Sequence, residues 1–118
     1  MIQVKDYSGD LVQLEVQISK YIEGGCLAVV LLEPETEDLY TVLSRNIEEA
    51  IPFLKENQTL IPIGDEMDDE IIQALLEAGV LIRTGLQFPY NFYTMELFEV
   101  CVEKADSVDF GEDEALVI

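Results

Sequence analysis

Val12, Leu14, Val16 and Ile18 alternate with Gln13, Glu15 and Gln17. Successive side chains of a strand point to opposite faces, so this stretch buries one face and wets the other only when extended. A helix would scatter the same four apolar residues around its circumference. The chain is thus committed early to a sheet, and its neighbours enlarge that sheet. Ile2 and Val4 alternate with Gln3 and Lys5, while "YSGD" (Tyr7–Asp10) and "EGG" (Glu23–Gly25) supply turn residues. "CLAVVLL", Cys26–Leu32, is apolar on both faces, as in a strand covered on two sides. A polar loop, Glu33–Asp38, contains Pro34 and precedes a further strand, Leu39–Leu43. The expected start is a meander of about four antiparallel strands.

The period then changes. In Asn46–Asn57, Asn46 and Glu49 have capping-box spacing, and Ile47, Ala50, Ile51 and Leu54 have helical spacing. Pro52 would remove a hydrogen bond and clash with the preceding turn, so only a short helical turn near 47–54 is expected. Thr59–Ile63 reads as a short strand with Pro62 placing it at an edge. "GDEMDDE", Gly64–Glu70, precedes Ile71, Ile72, Leu75 and Leu76, which form the apolar stripe of a helix over about 66–78. Asp65 or Asp68 can cap its start, Asp69 and Glu70 sit at the positive end of its dipole, and Gly79 can end it. After "LIRTG" (Leu81–Gly85), Leu86–Val102 reads as a last strand whose first part Pro89 keeps extended. Tyr93, Met95 and Leu97 would share one face, with Phe92, Thr94, Glu96 and Phe98 on the other. The pattern lapses from Glu103. The sequence therefore predicts one α+β domain over 1–102, with about five to seven mainly antiparallel strands and one main helix. An acidic, mobile tail is expected over 103–118.

Charge limits what the chain can do. Its 118 residues carry 25 acids against six basic residues, a net −19. The imbalance grows along the chain, from 11 acids and four basic residues in 1–64 to 14 and two in 65–118. Nucleic acids and anionic membrane surfaces are bound through Lys and Arg, so neither is an expected direct partner. A protein with a basic surface is. No apolar run approaches the roughly 18–20 residues of a membrane span. The start has no basic segment followed by an apolar one, so a soluble, cytoplasmic setting is expected.

The absence of histidine excludes a Ser-His-Asp triad, a Cys/His nucleophile pair and His-ligated zinc. Cys26 and Cys101 lie in apolar stretches and read as two reduced, buried thiols. Neither GxGxxG nor GxxxxGK[ST] occurs. Read as a calcium loop from Asp65, "DEMDDE" puts Met67 third and Leu76 twelfth, where oxygen ligands belong, so the register fails. No metal or cofactor is expected, and Arg83 reads as a structural salt-bridge partner.

The order of "LYTVL", "ENQTLIPI", a helix ending "LLEAGV", "TG" (Thr84–Gly85), "FPY" (Phe88–Tyr90) and "FYTMELFEV" resembles an uncharacterised family. Its members are small acidic proteins carried by bacterial plasmids, phages and conjugative elements. The resemblance covers about Leu39–Val100, with Leu86 and Gln87 standing where that family has a pair of small residues. It implies a small α+β fold, a mobile-element setting and no known enzymatic activity. It transfers no catalytic residues.

The sequence thus favours a non-enzymatic interaction module. Its candidate surface comprises Asp65, Glu66, Asp68, Asp69 and Glu70, the aromatic residues Tyr90 and Tyr93, and the tail acids Glu112, Asp113 and Glu114. Two alternatives stay open. One is a DNA mimic that occupies a nucleic-acid-binding protein with carboxylates in place of phosphates, of the anti-restriction or anti-defence type. The other is a small-molecule binder or enzyme with an aromatic-lined pocket near Phe88–Tyr93.

Overall fold

The computed structural model describes residues 1–6, 8–21 and 26–109. Tyr7 of the first turn, the expected turn Glu23–Gly25 and the tail acids Glu112, Asp113 and Glu114 lie outside the described residues. Within them the chain forms an α+β fold of two sheets and one α-helix.

The predicted meander is present. β1 (Ile2–Lys5), β2 (Leu11–Lys20), β3 (Leu27–Leu32) and β4 (Leu39–Val42) pair antiparallel in that order. Alternation does in β2 what the sequence requires: Leu14, Val16 and Ile18 are buried in the main core. β3 is buried throughout because both its faces are covered. Val29 and Leu31 join the main core, while Ala28, Val30 and Leu32 pack with Tyr21 on the other side. Buried Ser44 ties this region together: its hydroxyl accepts from the Val29 N–H at 3.0 Å and shares a 2.8 Å hydrogen bond with the Tyr21 hydroxyl.

The second sheet has the order β5-β7-β6, from β5 (Gln58–Ile63), β6 (Leu81–Tyr90) and β7 (Tyr93–Val100). β5 is an edge, as Pro62 implies. The helix α1 (Glu66–Glu77) links β5 to β6. It buries Ile71, Ile72 and Leu75 against the main core. Its C-terminus is a Schellman motif: Gly79 at φ +78 donates to the Leu76 carbonyl and Val80 donates to that of Leu75. The two sheets are joined by a buried hydrogen bond, 2.8 Å, from the Thr59 hydroxyl to the Leu27 carbonyl.

Four local expectations need correction. Residues Leu86–Val102 are not one strand: a two-residue turn, Asn91–Phe92, folds them into a β6–β7 hairpin. Asn91 adopts φ +54, a region its short polar side chain tolerates, and Phe92 therefore sits in the turn rather than on a strand face. The capping box at Asn46 does not form, since the 3-10 turn Glu48–Phe53 begins after Ile47 with no side-chain cap. Pro52 lies within that turn and has no N–H to extend an α-helix. The fold also extends beyond Val102. β8 (Ser107–Asp109) pairs parallel with β2 at Gln17–Ser19, beyond the stretch that β1 occupies. At this seam Asp106 accepts from the Val16 N–H at 2.8 Å and from the Met1 amino group at 2.6 Å. Finally, Cys26 and Cys101 are free but only half-buried.

Candidate interaction surface

β7 presents two apolar faces. Phe98 and Val100 point into the main core. Met95 and Leu97 point the other way, where they pack with Leu60 of β5 and with Ile47, Ala50 and Leu54 of the 3-10 segment. One short turn cannot roof a three-stranded sheet. What stays open is a groove of about 520 Å³ between that turn and the outer face of the hairpin. Ile47, Ala50, Phe53 and Leu54 form one wall; Leu60, Leu86, Phe88, Tyr90 and Leu97 line the rest. Among the described residues, Glu49 is its sole charged lining residue. Phe53 is 83% exposed and Leu86 58% exposed, so large apolar side chains border the groove with water beside them.

Leu86 shares the groove face with Phe88 and Tyr90 by strand alternation, and β6 is irregular just before it. The β6–β7 register shifts between Arg83 and Gln87, and Gly85 takes φ +82, which suits glycine. The Thr84 hydroxyl mends the ladder there, donating to the Leu97 carbonyl at 2.6 Å and accepting from the Leu86 N–H. On the inner face the same irregularity brings Arg83 and Gln87 together over Glu96. This carboxylate is 0% exposed. Arg83 Nε donates to one oxygen at 2.8 Å and Gln87 Nε2 to the other at 2.9 Å. A buried carboxylate without such partners would be costly, so Arg83 is the structural partner the sequence suggested. Its guanidinium also lies 5.6 Å from the centre of the Phe98 ring.

The acids of "GDEMDDE" divide by role. Asp65 caps α1, accepting from the N–H groups of Met67 and Asp68 at 3.0 and 3.1 Å. Asp69 accepts from the Gly64 N–H at 3.0 Å. These two shape the helix entry. Asp68 is half-buried, and its carboxyl is held above the ordinary value, first by desolvation and then by Asp65 and Asp69. Asp65 and Asp68 share a concavity with Arg45 and with Phe92 and Tyr93 at the hairpin tip. Phe92 is fully exposed. Tyr90 and Tyr93 are cross-strand partners, and both border a further concavity with Arg45. Arg45 directs one guanidinium nitrogen to the carbonyls of Val42 and Ser44, both at 2.9 Å.

The structure therefore brings together Asp65, Asp68, Tyr90 and Tyr93, whereas Glu66, Asp69 and Glu70 do not line these concavities. Sequence reasoning missed the groove wall, above all Phe53 and Leu86. The available signal was a large apolar residue directly after Pro52, in a segment too short to bury it. Burial raises the Cys26 thiol above its ordinary value, which keeps it protonated and weakly nucleophilic at neutral pH. Among the described residues, no three thiols or carboxylates are grouped so as to hold a metal ion. None of their helices is long and apolar enough to cross a membrane. Comparison with protein-family models, with curated proteins and with solved structures finds no match to this chain.

Proposed function

We propose that the protein is a non-enzymatic interaction module whose partner is a protein with a basic surface. One observation carries this reading: the exposed aromatic hairpin tip, Phe92 and Tyr93, faces the acidic start of α1 across a shared concavity. Exposed aromatic residues are costly on a solitary surface and enriched at protein interfaces. Carboxylates beside them favour a partner of opposite charge, as does the net −19. The mobile-element setting implied by the family resemblance belongs to the same proposal.

The test is to identify a bound protein from cells and repeat the binding with purified components. Affinity should fall at least tenfold between about 50 and 300 mM salt, because exposed charges are screened over that range. Phe92→Ser with Tyr93→Ser should weaken it further without changing its salt slope. Salt-independent binding would refute a basic partner. If the partner itself binds DNA and duplex DNA competes for it, the reading narrows to DNA mimicry.

A further inference from the structure

We propose that the outer groove receives the apolar face of a basic amphipathic helix presented by the partner, an assignment that rests on the basic-partner reading above. The groove and the acidic concavity are parts of one surface. Ile47 and Tyr90 line both the groove and the adjoining concavity, and Tyr93 lines that concavity and the one at the start of α1. A ligand lying along this path meets apolar side chains and Glu49 at one end and Asp65 and Asp68 at the other. Between them it passes Arg45, whose guanidinium is engaged with the Val42 and Ser44 carbonyls, so among the described residues acids outnumber the one cation on its route.

The shape favours a helix over an added strand. Strand addition needs a continuous free edge. β6, an edge of its sheet, is broken by the irregularity at Arg83–Gln87 and contains Pro89, which has no N–H to donate. The groove floor is made of side chains from the sheet face, the kind of surface on which anchors spaced i, i+3, i+4 and i+7 can dock. Charge narrows the occupant further. A second copy of this chain carries the same −19 and would be repelled. An anionic amphiphile would bring its head group towards Glu49. Lysine or arginine on the helix flanks would instead be attracted to the acids at both ends.

A random peptide library of about 16 residues, long enough for roughly four helical turns, displayed against the whole protein tests this. The counter-target is the double variant Phe53→Asp, Leu86→Asp. Both side chains are mostly exposed, so the variant should keep its fold, checked by an unchanged circular dichroism spectrum and a melting temperature within a few degrees. Sequences enriched on the wild type should be basic, carry apolar residues at helical spacing, and bind the variant at least tenfold more weakly. A basic pool that binds the variant equally well would overturn the groove assignment and leave the basic-partner reading standing. An uncharged or acidic pool that the variant loses would overturn the basic-partner reading and the basic helix with it. An enriched pool alternating with period two would replace the helix by a strand and overturn the proposal.

Discussion

The two faces of the β5-β7-β6 sheet are built from adjacent residues and meet opposite fates. Phe98 and Val100 lie under α1 and the first sheet in a closed core. Among the described residues, Leu97 and Met95, their immediate neighbours, are covered only by the 3-10 segment, with a groove beside them. Strand periodicity distributes apolar residues to both faces, but it does not supply a second cover. The inner face explains why the protein folds. The outer face carries more apolar surface than its cover seals, and this surplus makes it the candidate for binding.

The same substitution on the two sides should separate them most strongly. Phe98→Ala removes a ring with no exposure, and such truncations typically cost about 3–5 kcal/mol. Phe53→Ala removes a ring that is mostly in water, and should change stability by no more than about 0.5 kcal/mol. Urea unfolding of the two variants checks the contrast. Equal losses would mean that Phe53 is covered in solution and that the groove is closed.

Next in size is Arg83→Ala. It leaves the fully buried Glu96 carboxylate with Gln87 as its remaining side-chain partner. Breaking a buried pair from one side commonly costs about 3–5 kcal/mol; because Arg83 is itself half in water and Gln87 remains, about 2–3 kcal/mol is expected. Replacing Glu96 as well, with Arg83→Leu and Glu96→Leu together, should restore much of the loss. Failure of that rescue would show that the β6 irregularity, rather than the ion pair, sets stability on the inner face. Asp65→Ala should cost about 1 kcal/mol, the usual value of a lost N-cap. It should also weaken binding of a basic helix at low salt and lower its salt dependence, because Asp65 is one of the acids that attract it.

What the sequence discloses follows from how local each determinant is. The alternation from Val12 to Ile18 and the stripe from Ile71 to Leu76 are settled within a few residues, so β2 and α1 can be read directly. The hairpin was hidden because Asn91–Phe92 contains no glycine and interrupts a continuous aromatic run. β8 was hidden because a three-residue strand has no period of its own and is defined by its partner β2, far away in sequence. Asp106 looked like one more tail acid, and only its placement against Val16 reveals a structural role. For the candidate surface, the acids and tyrosines were visible as composition. Which of them converge depends on the hairpin, and the groove depends on a turn suspended over a sheet.

Asp68, at the acidic end of that surface, gives the smallest expected effect and the one with a distinctive sign. Its carboxyl lies above the ordinary 3.8 because partial burial disfavours its charge and Asp65 and Asp69 repel it, against some help from Arg45. A carboxylate whose folded pKa is raised destabilises the fold when charged. That penalty is complete above the folded pKa and fades as pH falls through it towards 3.8, the reverse of a carboxylate stabilised by an ion pair. Asp68→Asn keeps the shape and removes the charge. After discounting for solvent screening, it should stabilise the protein at pH 7 by a few tenths of a kcal/mol, partly offset by losing an acid at the helix N-terminus. Below pH 3.8 the advantage should disappear, with both proteins unfolding at the same urea concentration. An advantage of equal size at both pH values would instead trace the effect to packing. The acidic rim would then be a neutral neighbour of the groove rather than a strained surface that a basic partner relieves.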